Sequence, residues 1–400
     1  MYTAWEEGRA LALKMLQPTQ KELEHGLELH HNSFVFDAYG FIPGGGGKAE
    51  RLEQIIAENG SRDERSAASE EFASNLAFFQ NPAMKEMLRE AFEYSGVDCI
   101  FQNAGVEGND VEKMLKRLSC FTLLTDREED LFERAVFPEK LEGIRQRGHK
   151  ALYLTTNGVP LSSKLVSAEE ALEHIAVFFR LGIRMMHLTY NRRNLIGDGC
   201  AEKADGGLSD FGRMVIAEMN RVGIIPDVAH SGQRTSLEAA LYSKRPVVAS
   251  HTVAGKLSTH FRAKSDEVIE AIKKSGGYVG ICAIPRFLGG SSNICAFLDH
   301  IEYVARKFGV DHVAIGTDRS TTLAPREFSG TPAPSRRIWE SYWPDPGDGG
   351  SKVTEEQFNS LMWLNWPCFT VGLVQRGFSD AEIQKIIGGN VLRVVKESLN

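Results

Sequence analysis

Between Ala151 and Asp318 the chain repeats one unit, a short β-rich apolar run followed by an amphipathic helical pattern, and this alternation narrows the fold more than any other feature. The runs are Ala151–Thr156, Ile183–Leu188, Ile224–Ala229, Pro246–Ser250, Gly277–Cys282 and His312–Thr317. In the helical stretch LSDFGRMVIAEMNRVG, Phe211, Met214, Val215, Met219 and Val222 share a face, Ser209 can cap the start and Gly223 can end it. SDEVIEAIKKSGG repeats this with Ser265 and Gly276, and DHIEYVARKFG with Gly309 as the stop. Consecutive βα units imply a parallel sheet. Ser33–Phe36 and Val97–Phe101 add two strands upstream, giving the eight that close an α/β (β/α)8 TIM barrel. An open doubly wound sheet is the alternative architecture.

Two segments interrupt the alternation. Residues 41–75, which include Gly44–Gly47, and residues 319–352, rich in Pro, Gly and Ser, read as loops inserted after the first and eighth strands. GGGGK does not make a phosphate loop, because position 42 is Ile42 and Lys48 is followed by Ala49. A mobile lid is expected there instead. Residues 1–32 read as an N-terminal helical extension and 353–400 as C-terminal helices, all in one domain.

With 42% hydrophobic and 25% charged residues the chain can bury a large core. A formal charge of -7 leaves no basic surplus for phosphates, so a small molecule is expected as partner and nucleic acid is not. The acidic opening MYTAWEEGRA spoils a signal-peptide n-region, no apolar run reaches membrane-spanning length, and KESLN is not an anchor signal. No membrane partner and a cytoplasmic location are therefore expected. The six scattered cysteines form no CxxC pair, which fits reduced thiols.

In such a barrel the active site lies where strands end. The polar residues there are Asp37, Tyr39, Gln102, Asn103, Asn157, Tyr190, Asn191, His230, His251 and Asp318. His230 in DVAHSG and His251 in VVASHT end consecutive strands, so their imidazoles can share a divalent metal. A lone strand-end histidine is usually a hydrogen-bonded core residue; two beside a carboxylate favour the metal. Asp318 could ligate it, take a proton from water or orient an amine; alternatively it caps the next turn. Cys200, in GDGC, could be a reactive thiol, though most free cysteines are inert. Arg192 and Arg193 could read a second acidic group on a substrate or form a solvated face.

LTYNRRNLIGDGC, GGLSDFGRMVIAEMNRVGIIPDVAHSG, VVASHT, HFRAKSDEVIEAI, AIGTD and GFSDAEIQKIIGGNVLRVV occur in one consistent order from Phe34 to Val395. This order resembles the membrane (renal) dipeptidase family, peptidase family M19. The resemblance implies an amidohydrolase-type TIM barrel with two zinc ions that hydrolyses dipeptides, including those with a C-terminal D-residue, and some β-lactams. It also implies a homodimer. By it, His230 and His251 fall on the two histidine ligands of one zinc, and Asp318 on the acid that serves the other zinc and the proton transfer. Arg262 in HFR matches the arginine that receives the substrate carboxylate, a fork suited to a planar anion.

The departures are as informative. Where that family has a His-x-Asp pair this chain has Tyr39 and Phe41, its bridging glutamate is Asn157, and its carbonyl-steadying histidine is Tyr190. A phenylalanine and a neutral amide cannot hold two dications together. At most one divalent metal, zinc by analogy, is expected at His230 and His251, with Asp318, Tyr39 or Asn157 and water completing it. LTYN, NLxGxGC and the asparagine after the third strand also resemble a bacterial branch of the family.

Three functions follow. The first is a hydrolase of a dipeptide or small amide, with one metal, Asp318 as proton acceptor and Arg262, Asn157 and Asp37 contacting the substrate. The second is a metal-free enzyme using His230, His251 and Asp318 for proton transfer and Tyr39 and Tyr190 for charge stabilisation. The third is a binding protein on the same scaffold.

Overall fold

A computed structural model of the chain describes residues 2–44, 50–65, 68, 82–162, 167–321, 323, 337–344 and 353–399. Nine strands appear in it: β1 (Phe36–Gly40), β2 (Cys99–Asn103), β3 (Phe132–Arg134), β4 (Lys150–Thr156), β5 (Ile183–His187), β6 (Ile225–Asp227), β7 (Ala249–Thr252), β8 (Val279–Ile281) and β9 (Val313–Ile315). Every pairing between them is parallel, in the orders β1-β2-β4-β5-β6 and β7-β8-β9. The two sheets join where Val228 N donates to Val248 O (2.8 Å) and Val248 N to Pro226 O (3.0 Å). The ring closes where Asp318 N donates to Tyr39 O (2.9 Å) and Phe41 N to Arg319 O (3.0 Å). An open sheet leaves its first and last strands apart, so closure selects the (β/α)8 barrel.

All eight expected strands are present, with ends shifted by at most four residues. β3 is additional: it pairs Lys150–Leu152 at the base of β4, below the level where β5 takes over that edge. The helix Asp210–Val222 starts on Ser209, whose side chain accepts from Gly212 N, and stops at Gly223, φ +93°. Its inner face is Val215, Ile216 and Met219, whereas Met214, expected inside, faces solvent. Ser265 caps the helix Asp266–Lys274.

The segments read as inserted loops are partly helical. Glu50–Ala57 and Arg337–Tyr342 are helices, the first with Leu52 turned inward. Residues 45–49, with most of the proposed lid, lie outside the described residues. Among the described residues no helix is long and apolar enough to cross a membrane.

Side chains fill the barrel in layers. Phe36, Phe101 and Tyr153 stack at 5.3–5.7 Å and, with Met185, Ile225, Val248, Tyr278 and Ala314, make an apolar floor sealed by Val391, Val394 and Val395 of the C-terminal helix. Toward the C-terminal rim the register shifts between Asp37 and Gly40 and between Ala249 and Thr252. Such bulges re-aim side chains, and the polar cluster sits at this level.

Candidate active site and metal centre

His230 and His251 follow β6 and sit within β7, and their Nε2 atoms lie 3.0 Å apart, both rings buried. Each ring is held from behind. His230 Nδ1 meets Asn191 Oδ1 at 2.7 Å, and a carbonyl oxygen only accepts, so Nδ1 carries the proton. Ser250 Oγ donates to Asp227 Oδ2 and so accepts from His251 Nδ1 at 2.8 Å. Both Nε2 atoms are then left with lone pairs aimed at each other. Burial, followed by the positive charge of Arg262, holds both imidazoles well below their usual pKa, so a shared proton does not relieve the repulsion. A cation does, and neutral imidazole is the form that ligates one. The residues present fit one divalent metal.

Two tyrosines cover these histidines. Tyr39 stacks on His251 (centroids 3.9 Å, planes 19° apart) and Tyr190 on His230 (4.0 Å, 21°). The Tyr39 hydroxyl donates to Asn157 Oδ1 at 2.6 Å, and Phe41 packs edge-on against the Tyr39 ring. Three of the positions that by the resemblance would serve a second metal, Tyr39, Phe41 and Asn157, are thus occupied by a neutral, mutually satisfied group. Two metals do not fit.

Asp318 stands at the mouth in the left-handed region (φ +53°), its backbone tied to Tyr39. Burial, the strongest influence, raises its carboxyl to about 6, against the pull of Arg262, His187 and Arg319. Arg262 is buried; Nη2 donates to His251 O (2.8 Å) and Nε to Ala229 O (3.2 Å), while Nη1 has no hydrogen-bond partner. Among the described residues no carboxylate lies within ion-pair distance of it. A buried guanidinium with an unused donor suits an incoming carboxylate.

Asp37, expected to contact substrate, is placed otherwise. Its oxygens accept from Tyr39 N (3.3 Å), Thr317 N (2.9 Å), Thr317 Oγ1 (2.6 Å) and Trp363 Nε1 (3.1 Å), so it fastens β1 to the segment after β9. Burial, the largest influence, raises this carboxyl to about 7 despite those donors. Arg192 and Arg193 are also spent within the protein. Arg192 donates to Ala201 O (3.0 Å) and Trp343 O (3.3 Å), and Arg193 is paired with Asp198. Cys200 donates to Asn191 Oδ1 at 3.2 Å, and burial raises its thiol pKa, so the reactive-thiol expectation finds no support there.

The described end of the second insertion does cover this face. Tyr342 and Trp343 meet Tyr190 edge-on at 5.4 and 6.4 Å, and Arg286 lies 5.3 Å from the Trp343 ring.

Sequence reasoning missed His187 and Asp227, the last residues of β5 and β6. They are register partners, buried, with His187 Nε2 2.7 Å from Asp227 Oδ2. Alternation was the available signal: each stands two residues beyond an inward core residue, Met185 and Ile225, and therefore points into the barrel.

Residues 72–331 match the family model described as membrane dipeptidase (peptidase family M19). The dipeptidase tcpJ of Claviceps purpurea is 29% identical over 228 residues, covering 56% of this chain and 46% of that protein, so the chain spans about half the length of this curated relative. An amidohydrolase crystal structure from Pseudomonas aeruginosa is 25% identical, with a TM-score of 0.68 and coverage of 94% of this chain and 99% of the other. A metallopeptidase from Rhodobacter sphaeroides, liganded with a phosphinate mimic of the dipeptide L-Ala-D-Ala, shares the fold at a TM-score of 0.62 with 16% identity, covering 92% and 100%. With the family model covering well over half of its length, this chain belongs to the membrane dipeptidase family, peptidase family M19.

Proposed function

We propose that the chain is a hydrolase of a dipeptide or similar small amide bearing a free carboxylate, working with a single divalent metal, zinc by its imidazole donors, at His230 and His251. The observation that carries this reading is the opposed pair of Nε2 lone pairs, 3.0 Å apart, at the rim that also carries Arg262 and Asp318. Family membership supports a metal and a hydrolytic reaction. The dipeptidase name of the fungal relative supports the substrate class.

A divalent metal at this position supplies Lewis acidity toward a carbonyl oxygen and lowers the pKa of a water molecule. The protein's residues do the rest. Arg262 Nη1 receives the substrate carboxylate and sets its register against the histidine pair. Asp318, near neutrality by virtue of its burial, accepts the proton from the attacking water and returns it to the leaving amine. Tyr39 and Tyr190 hold both imidazoles by their faces and exclude water.

The test is zinc loading followed by a panel of dipeptides with L- and D-residues at the C-terminal position. Turnover that disappears in chelator and in Asp318→Asn is expected. Undiminished turnover in chelator would point to the metal-free chemistry, and ligand binding without chemical change to a binding protein.

A further inference from the structure

We propose that His187 supplies a third imidazole to the metal centre at His230 and His251, making a three-histidine mononuclear site backed by Asp227. This rests on the metal reading above.

The first support is spatial. The ring centroids are 5.2 Å apart for His187 and His230, 5.3 Å for His187 and His251, and 5.0 Å for His230 and His251. A ring bound at a Zn–N distance of about 2.0–2.1 Å has its centroid about 3.2 Å from the ion, and two such rings at a tetrahedral angle have centroids about 5.2 Å apart. The near-equilateral triangle matches that spacing.

The second is an unmet need. Two buried histidines elsewhere have both nitrogens engaged: His30 with Thr370 and Ser95, and His300 with Ala254 N and Leu288 O. His187 is fully buried; its Nε2 faces Asp227 Oδ2 at 2.7 Å, and its Nδ1 has no hydrogen-bond partner. A buried ring nitrogen left without a partner is unfavourable. Asp227 does not meet that need, because it approaches the other ring nitrogen, Nε2, and its oxygens are also served by Ala229 N (2.9 Å), Ser250 N (3.0 Å) and the Ser250 hydroxyl.

The third is charge. One ligand atom from each of His187, Asp227 and His251 falls within 4.8 Å of the others; His230 is outside this group and joins it through the 3.0 Å approach of its Nε2 to His251 Nε2. Asp227 touches the Ser250 hydroxyl that orients His251 and lies beside His187, so a buried negative charge sits behind two of the three imidazoles. That is the arrangement which raises the basicity of metal-bound histidine. His187 and Asp227 thereby compensate for the ligands replaced by Tyr39, Phe41 and Asn157. The competing account is a purely structural His187–Asp227 ion pair.

The experiment is zinc titration of the full chain after chelator treatment, against a competing chromogenic chelator, with X-ray absorption of the zinc-loaded wild type to count imidazoles. Wild type binds one equivalent with three imidazoles, and His187→Gln weakens binding at least 100-fold. One zinc with two imidazoles, and His187→Gln affinity within a factor of three of wild type, would overturn the role of His187 while leaving the metal reading intact. No zinc at all in wild type would instead remove the metal reading and this inference with it. His187→Gln keeps most of the side-chain volume and is checked by circular dichroism; if it does not fold, the wild-type imidazole count alone decides.

Discussion

Tyr39 donates its hydroxyl to Asn157 Oδ1 at 2.6 Å, and this bond spans the place where a two-metal barrel needs anionic ligands. Both partners are buried, so the bond matters to stability as well as to metal number. Metal analysis should return no more than one equivalent of divalent ion per chain. In Tyr39→Phe the buried Asn157 oxygen loses its donor, at a cost of about 1–3 kcal/mol in denaturant unfolding. Two equivalents in the wild type would show that the pair opens to admit a second ion.

Gly40 permits the barrel's closing contact. A Cβ at this position would collide with the Asp37 carboxylate and lie 3.2 Å from Thr317 Oγ1. Gly40→Ala should displace Asp37 from its four donors and lower stability by roughly 2–4 kcal/mol, in line with other disruptions of buried hydrogen-bond networks. A thermal midpoint equal to that of wild type would mean that the strand adjusts freely.

The barrel was legible because its signals are local and repeated. Ser209 and Gly223 bracket a helix by cap chemistry alone, and short, fully buried β-rich runs such as ALYLTT recur between such helices. The rim histidines were legible because they follow those runs directly. His187 and Asp227 were not, since they lie within the expected runs Ile183–Leu188 and Ile224–Ala229, where an apolar run conceals a polar residue unless its inward parity is followed from Met185 and Ile225. Asp37 shows the converse difficulty. A carboxylate at a strand end looks available, and only the non-local donors Thr317 and Trp363 reveal that it is fully engaged. β3 escaped notice because three residues, two of them charged, carry no periodicity.

Stability should carry a signature of His30, far from the metal centre. Its Nδ1 meets Thr370 Oγ1 and its Nε2 meets Ser95 O, both at 2.8 Å, and burial lowers its pKa from 6.5 to about 4. Above pH 6.5 the ring is neutral folded and unfolded, and its contribution is complete. As pH falls from 6.5 toward 4 the unfolded chain takes up the proton first, so stability is lost, by roughly 3 kcal/mol in full. Urea unfolding of wild type and His30→Gln in chelator should therefore give a stability difference that shrinks over this window. A constant difference between pH 7 and pH 4.5 would show that the ring is protonated within the fold.

Arg262 offers a test of substrate class that does not depend on knowing the substrate. Its guanidinium is anchored on Ala229 O and His251 O, which leaves Nη1 as the donor with no partner. Lysine cannot hold a strand-end carbonyl and a carboxylate in the same fork, so Arg262→Lys should raise KM by at least 10-fold and change kcat less. A substrate capped as its C-terminal amide removes the same interaction from the other side, and wild type should disfavour it by a comparable factor. Because both changes delete one contact, they should not add: Arg262→Lys should process acid and amide forms with nearly equal kcat/KM. If the variant instead keeps the full preference for the free acid, the carboxylate is read elsewhere, and Arg262 serves only to pin the strand ends that carry the two histidines.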